Sequence, residues 1–249
     1  MKVKIKNWIF CPRLITSLLA LVFFILFMLL GFWQLERAEY KHNQYSFFEK
    51  RQAKQPLDLN ASLVKNFKLD DLIWRKVAIK GRFIEKHQIV LDNRVNAGKA
   101  GYYIYTPFRI EDTEKVVLVN RGWVSSNNNR TSKLNLTRTY GNVKINGVVK
   151  KEPRTGILLS KDHTEKLDET TVRLQRLDIE EASDVIGVDL LPFIVRLAPN
   201  SDYGYVRKWK TNDSGEDVHL GYAYQWFAFA ITLLIIYLII NTKREDGAV

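Results

Sequence analysis

The sequence predicts a membrane α-helical hairpin, two terminal transmembrane helices with an inserted α+β, mainly antiparallel β extracytoplasmic domain. Two uncharged apolar runs predict the hairpin: Leu14–Phe32 and Gly221–Ile240, each about the ~20 residues with which a helix crosses ~30 Å of hydrocarbon. The tract between them carries repeated runs of β-branched and aromatic residues separated by turn chemistry, which predicts the β domain. Basic residues on the outer flanks of both runs set the orientation.

Lys2, Lys4, Lys6 and Arg13 precede the first run without an acid, and Lys243 and Arg244, then Glu245 and Asp246, follow the second. Short flanks rich in Lys and Arg stay cytoplasmic. Residues 1–13 and 241–249 are therefore expected as cytoplasmic tails, 14–33 and 221–240 as the spans, and 34–220 as a periplasmic domain. A cleaved signal peptide fits poorly, because GFWQLERAEYK follows the first run with no small-x-small site. The expected location is a bacterial inner membrane, with the chain crossing it twice.

The elements follow in order. Residues 33–54 continue as a helix, with Trp33, Leu35, Ala38, Tyr45 and Phe48 set among helix-forming polar residues, and Pro56 ends the pattern. In WRKVAIKGRF, Val77, Ile79, Gly81 and Phe83 alternate with polar neighbours, as on a half-buried strand. HQIVLDNRV, GYYIYTPFRI and EKVVLVNRGWV read as further strands, the first two joined by the turn NAGKAG. NVKINGVV is another. Asp178 caps a short helix, IEEASDVI, closed by Gly187, and FIVRLAP is the last strand. The stretches 125–142 and 160–170 read as loops. The expected architecture is a curled sheet or barrel.

Of the net charge of +11, the central segment carries +7. Outside a membrane, such a surface meets anionic headgroups or an acidic partner rather than nucleic acid, or is simply solvated. Cys11 is the only cysteine, so the exported domain has neither a disulfide nor thiol chemistry.

Catalytic motifs are absent from the sequence. The four histidines are His42, His87, His163 and His219, and no HExxH, GxSxG or phosphate-loop lysine motif occurs. His87 and Asp92, five apart on a strand, point to opposite faces. The chain is therefore not expected to be an enzyme.

Two other features carry more information. Asn93-Arg94 and Asn120-Arg121 are paired Asn-Arg steps, and on a regular strand Val117, Val119, Arg121 and Trp123 share a face. An arginine there either ties off strand ends or, with Arg94, Asn120 and Trp123, forms a docking surface for a partner or anionic ligand, stacking on Trp123 or clamping a carboxylate. At the rim of the second span, His219, Tyr222, Ala223, Trp226 and Ala230 follow helical spacing, as do Gly31, Gln34, Leu35 and Ala38 at the same depth on the first. If those stripes meet, His219 offers a metal ligand, the aromatics a flat apolar wall, and Arg37 a partner for carboxylates. The alternative is an ordinary aromatic belt in which Trp and Tyr anchor the interface.

GFWQLERAEYK, KGRF, LDNR, GYYIYTP, VLVNRGW and HLGYAYQWFAFA, in that order between two terminal spans, resemble the Surfeit locus protein 1 family. The resemblance implies an assembly factor for haem-copper cytochrome oxidase that assists placement of haem a in the catalytic subunit. It implies transient haem a binding, with oxidase subunit I and haem a synthase as partners alongside membrane lipids. Its functional positions map onto His219, Tyr222, Ala223, Trp226 and Phe227, onto Asn120, Arg121, Gly122 and Trp123, and onto Gly31, Trp33, Gln34 and Arg37. A scaffold that stabilises an oxidase intermediate without touching haem is the alternative, and a membrane-tethered periplasmic enzyme a more distant one.

Overall fold

The computed structural model describes residues 3–5, 8–64, 68–126, 134, 136–153, 164–209 and 214–244. In chain order the elements are β1 (Val3–Ile5), β2 (Trp8–Phe10), α1 (Leu14–Ala53), β3 (Leu57–Asp58), α2 (Leu59–Val64) and α3 (Leu69–Leu72). Then come β4 (Lys76–Phe83), β5 (Gln88–Asn96), β6 (Lys99–Ile110), β7 (Val116–Ser125), β8 (Val143–Lys150), β9 (Thr164–Lys166) and β10 (Thr171–Leu174). The last are α4 (Ile179–Ile186), β11 (Leu190–Leu197), α5 (Glu216–Asn241) and β12 (Thr242–Arg244). The chain divides into two compact units, Met1–Phe48 with Thr211–Val249, and Glu49–Lys210.

The first unit is an antiparallel helix pair. Ser17 Oγ lies 2.6 Å from the Tyr237 hydroxyl near one end, and His42 Nδ1 lies 2.6 Å from Glu216 Oε2 near the other. Small residues hold the seam, where Gly31, Ala38, Ala223 and Ala230 are buried. A Cβ on Gly31 would come within 2.5 Å of the Phe227 ring, so glycine is what allows this approach. Beyond the helices, in the segments expected as tails, β2 pairs antiparallel with both β1 and β12, and buried Asn241 joins the ends: its backbone oxygen accepts from Cys11 N and its Oδ1 from Arg13 N.

The second unit is a closed five-stranded barrel with additions. β4, β8, β11, β7 and β6 pair in sequence, and β6 returns to β4 through Gly81↔Ile110 and Phe83↔Phe108. Within that ring only β7–β11 is parallel. The interior holds Val77, Ile79, Phe108, Val117, Val119, Ile145 and Phe193, the alternate positions that the period-2 pattern selects. β5 extends the sheet beyond β6, followed by β10 and β9. The outer face of β5–β6–β7 packs on α4, where Asp178 accepts from Glu180 N and Glu181 N and Gly187 closes the helix at φ 64°. The NAGKAG turn resolves to the two-residue hairpin Ala97-Gly98, both at positive φ.

Two expectations need correction. The polar stretch 160–170 is not all loop, because residues 164–166 form β9 against β10; residues 160–163, with His163, lie outside the described residues, as do 127–133 and 135. Val117, Val119, Arg121 and Trp123 do not share a face. The β6–β7 register shifts between Tyr105↔Asn120 and Ile104↔Gly122, so Arg121 is the extra residue of a β-bulge. Trp123 consequently pairs with Tyr103 and joins the outer face, while Val117 and Val119 remain inside.

Candidate functional site

Within the helix pair, the imidazole of His219 meets Gln34, with Nδ1 2.9 Å from Oε1. A carbonyl oxygen accepts only, so Nδ1 is the donor, and in the neutral ring that tautomer leaves the lone pair on Nε2. Among the described residues nothing bonds to Nε2. This is the arrangement that presents a metal-ligating histidine: one nitrogen held by a neighbour that fixes tautomer and ring orientation, the other open. Gln34 is 9% exposed, which makes it a rigid partner. About two turns deeper, Trp226 stacks on Phe27 at 5.8 Å and 29°, and Phe229 packs edge-on against Trp226 at 5.7 Å.

The other expected members of this site are dispersed. Tyr222 is half exposed, and the Arg37 guanidinium lies 5.1 Å from the centre of the Tyr40 ring. Among the described residues no hydrogen bond or ring contact joins either to His219. Helical spacing brought His219 and Gln34 together correctly, while Ala223 rather than Tyr222 turns into the seam.

The Asn-Arg steps both mark bulges. At Asn93, with φ 57°, the β5–β6 register shifts between Leu91 and Arg94. At the second step, Asn120 Oδ1 accepts from Gly122 N at 3.0 Å, and Gly122 takes φ 120°, a conformation that favours glycine.

Arg121 is 1% exposed and serves the interior. Nη1 donates to Glu85 Oε1 at 3.0 Å, Nε to Tyr203 O at 2.7 Å, and Nη2 to Thr137 O and Thr139 Oγ1. The guanidinium stacks on Phe83 at 4.6 Å and Tyr205 at 5.4 Å, not on Trp123. Glu85 also accepts from Thr139 N and from Gln88, whose Oε1 accepts from Thr106. The carboxylate-clamping arginine foreseen from sequence is therefore real, but the carboxylate is the chain's own. So placed, Arg121 has no surface to offer a partner. Trp123 is likewise buried, its Nε1 donating to Arg94 O.

Arg94 and Asn120 instead line a cavity of about 420 Å³ on the outer face, together with Trp74, Lys150, Arg196 and Trp209. Sequence reasoning missed the last four. Arg196 lies beside Asn120 only through the parallel β7–β11 pairing, and nothing local in FIVRLAP signals it.

A profile described as the SURF1 family matches residues 21–231, which spans both helices and the barrel. Among curated relatives, a SURF1-like protein of Rickettsia bellii is 32% identical over 89% of each chain, and one of Rickettsia felis is 32% identical over 90% of this chain and 96% of its own. The cytochrome oxidase assembly protein SHY1 of Saccharomyces cerevisiae is 32% identical over 39% of this chain and 24% of its own. With matches that run from the first apolar helix through the bulged NRGW strand to His219 and beyond, the chain belongs to the SURF1 family.

Proposed function

We propose that this chain is an assembly factor for haem-copper cytochrome oxidase, and that His219 holds haem a in passing on its way to subunit I. The observation that carries the reading is the Gln34–His219 bond, which leaves Nε2 free, with the Phe27–Trp226 stack about two helical turns deeper on the same pair of helices. An imidazole is one donor; a porphyrin iron brings its equatorial ligands with it, so a single histidine suits that cargo. Exposed Arg37, three residues from Gln34, and half-exposed Tyr222, three from His219, are polar groups suited to acidic substituents, set among the acids Glu36, Glu216 and Asp217. The yeast relative's name supports the oxidase; haem a synthase and subunit I follow as partners.

The membrane placement belongs to the same reading. The helix pair leaves Leu18, Ile25, Leu29, Ile231, Ile235 and Leu238 exposed, and only 6% and 11% of the two apolar stretches is buried. Exposed apolar surface of that extent is stable in lipid and not in water. With basic residues at both ends, the termini lie in the cytoplasm, 34–220 in the periplasm of a bacterial inner membrane, and the spans at 14–33 and 221–240. The work proposed is binding and handover rather than catalysis.

The test is purification of wild type, His219→Ala and Gln34→Leu from cells that make haem a. His219→Ala loses the haem and its Soret band; Gln34→Leu retains less than wild type because the ring loses its orienting partner. Equal haem in wild type and His219→Ala, with oxidase subunit I still co-purifying, would leave a scaffold that does not touch haem.

A further inference from the structure

The outer face of the barrel unit that packs on α4 continues past that contact into the cavity of about 420 Å³, since Tyr105 and Ile194 belong to both. Its walls carry an unusual balance. Arg94, Lys150 and Arg196 all line it, and among the described residues none has an acidic partner within ion-pair distance. Lys151 at the margin pairs with Asp70 at 3.4 Å, and Glu152 is the one carboxylate on the lining. Arg94 Nε is buried without a hydrogen-bond partner, so contact with a bound anion falls to the terminal nitrogens of that guanidinium.

The remaining walls are aromatic. The Lys150 ammonium sits 3.0 Å from the Trp74 ring centre, and the Arg196 guanidinium 5.1 Å from that of Trp209. Trp209 is fixed by donating to Leu197 O at 2.9 Å and packs against Tyr103 at 5.6 Å. Register explains the convergence: Arg196 lies beside Asn120, Lys150 beside Ile194, and Ile194 and Arg196 are two apart on one strand. Unpaired cations held over rigid aromatic faces recognise a negative head on a flat apolar body.

We propose that this cavity is a binding site for a small soluble organic anion, a phosphate or carboxylate carried on an aromatic or similarly planar body. It shares no residue with the Gln34–His219 pair, and it assigns Arg94 and Asn120 to a ligand rather than to a docked protein.

Calorimetry on the full chain in phosphatidylcholine nanodiscs tests it, with 1-naphthyl phosphate as probe and inorganic phosphate and 1-naphthol as its two halves. The whole probe binds at least about tenfold more tightly than either half, and Arg94→Gln and Arg196→Gln each weaken it by about tenfold or more, the scale of a lost charge-assisted hydrogen bond. Lys144→Gln, an exposed residue on β8 outside the cavity, leaves binding unchanged. Absence of binding, or binding that persists in an Arg94→Gln/Arg196→Gln double variant whose melting matches wild type, would overturn the proposal. If the double variant does not fold, Trp209→Leu serves in its place and must weaken the probe. Loss of probe binding when phosphatidylglycerol replaces phosphatidylcholine would assign the cavity to lipid headgroups instead.

Discussion

Trp123 Nε1 donates to the Arg94 carbonyl at 2.8 Å, reaching from β7 to β5 across the intervening strand β6. The indole passes over Gly101, where a Cβ would stand 2.4 Å from Trp123 Cε2 and 2.3 Å from Val124 O. The bond ties together two bulges, each of which re-aims the chain after an Asn-Arg step. Gly101→Ala is therefore expected to displace the indole and destabilise the barrel by roughly 1–3 kcal/mol, the usual cost of overpacking. Denaturation of the full chain, followed by tryptophan fluorescence, measures it; an unchanged midpoint would mean the indole moves without cost.

Arg121 and Glu85 are 1% and 7% exposed and face one another at 3.0 Å. Removing one partner of a buried pair strands the other charge, so Arg121→Met or Glu85→Leu alone should cost about 3–5 kcal/mol. The double variant should recover part of that loss, because no unpaired charge remains, while Tyr203 O, Thr137 O and Thr139 N still lose their partners. A double-mutant cycle on denaturation midpoints checks it, and additive losses would show that the two groups act separately. Arg121→Glu sets two carboxylates in the same buried space and should unfold the unit. Lost association of that variant with an oxidase subunit would then report folding, not docking.

These two residues also show what a sequence can disclose. The apolar spans and alternating strands are local patterns, and they locate the helix pair and most barrel strands directly. Gln34 and His219 were recoverable because helical spacing puts each on a seam facing the other. Arg121 was not, since its acid stands 36 residues away and its stacking partner Tyr205 another 84 beyond Arg121. Periodicity put Trp123 on the wrong face because one inserted residue reverses every side chain after it. Barrel closure through β4–β6 and the parallel β7–β11 pair join distant segments, so the cavity they create has no contiguous signature.

Lys150 gives the barrel unit a pH dependence. Burial, reinforced by the Arg196 cation, lowers its pKa from 10.5 to about 7, while the Trp74 face acts in the opposite sense. In the unfolded chain Lys150 keeps its ordinary value, so between about 7 and 10.5 the unfolded state holds the extra proton and stability rises with pH. Below about 7 both states are charged, and the folded one bears the cost in full. Lys150→Met should therefore stabilise most at pH 6 and least at pH 10, read as the difference between variant and wild-type denaturation midpoints. A difference independent of pH would show that Lys150 keeps its ordinary pKa. Arg94, Arg196, Lys151, Glu152, Tyr103 and Tyr105 are the other charged or titratable groups on that cavity. An anion bound among them favours the ammonium, so binding of 1-naphthyl phosphate at pH 7.5 should take up protons, visible as heats that vary with buffer ionisation enthalpy.

Gly31 decides whether the helix pair can present His219 at all. A Cβ at this position would lie 2.5–2.9 Å from three atoms of the Phe227 ring, and Phe227 is held edge-on by Phe32 at 5.5 Å. Where the branched side chain opens the seam instead of turning the Phe227 ring aside, Gln34, one helical turn from Gly31, is carried away from His219. Gly31→Val should thus lower bound haem as Gln34→Leu does while leaving membrane insertion unchanged, because valine is as apolar as the span requires. Crosslinking separates this from a general loss of fold: in a Cys11→Ser background with Ser17→Cys and Tyr237→Cys, whose wild-type hydroxyls lie 2.6 Å apart, a short bis-maleimide that spans the length of the removed tyrosine ring should still bridge the far end of the pair. Full haem retention by Gly31→Val would show that the imidazole is oriented without the close approach of the two helices.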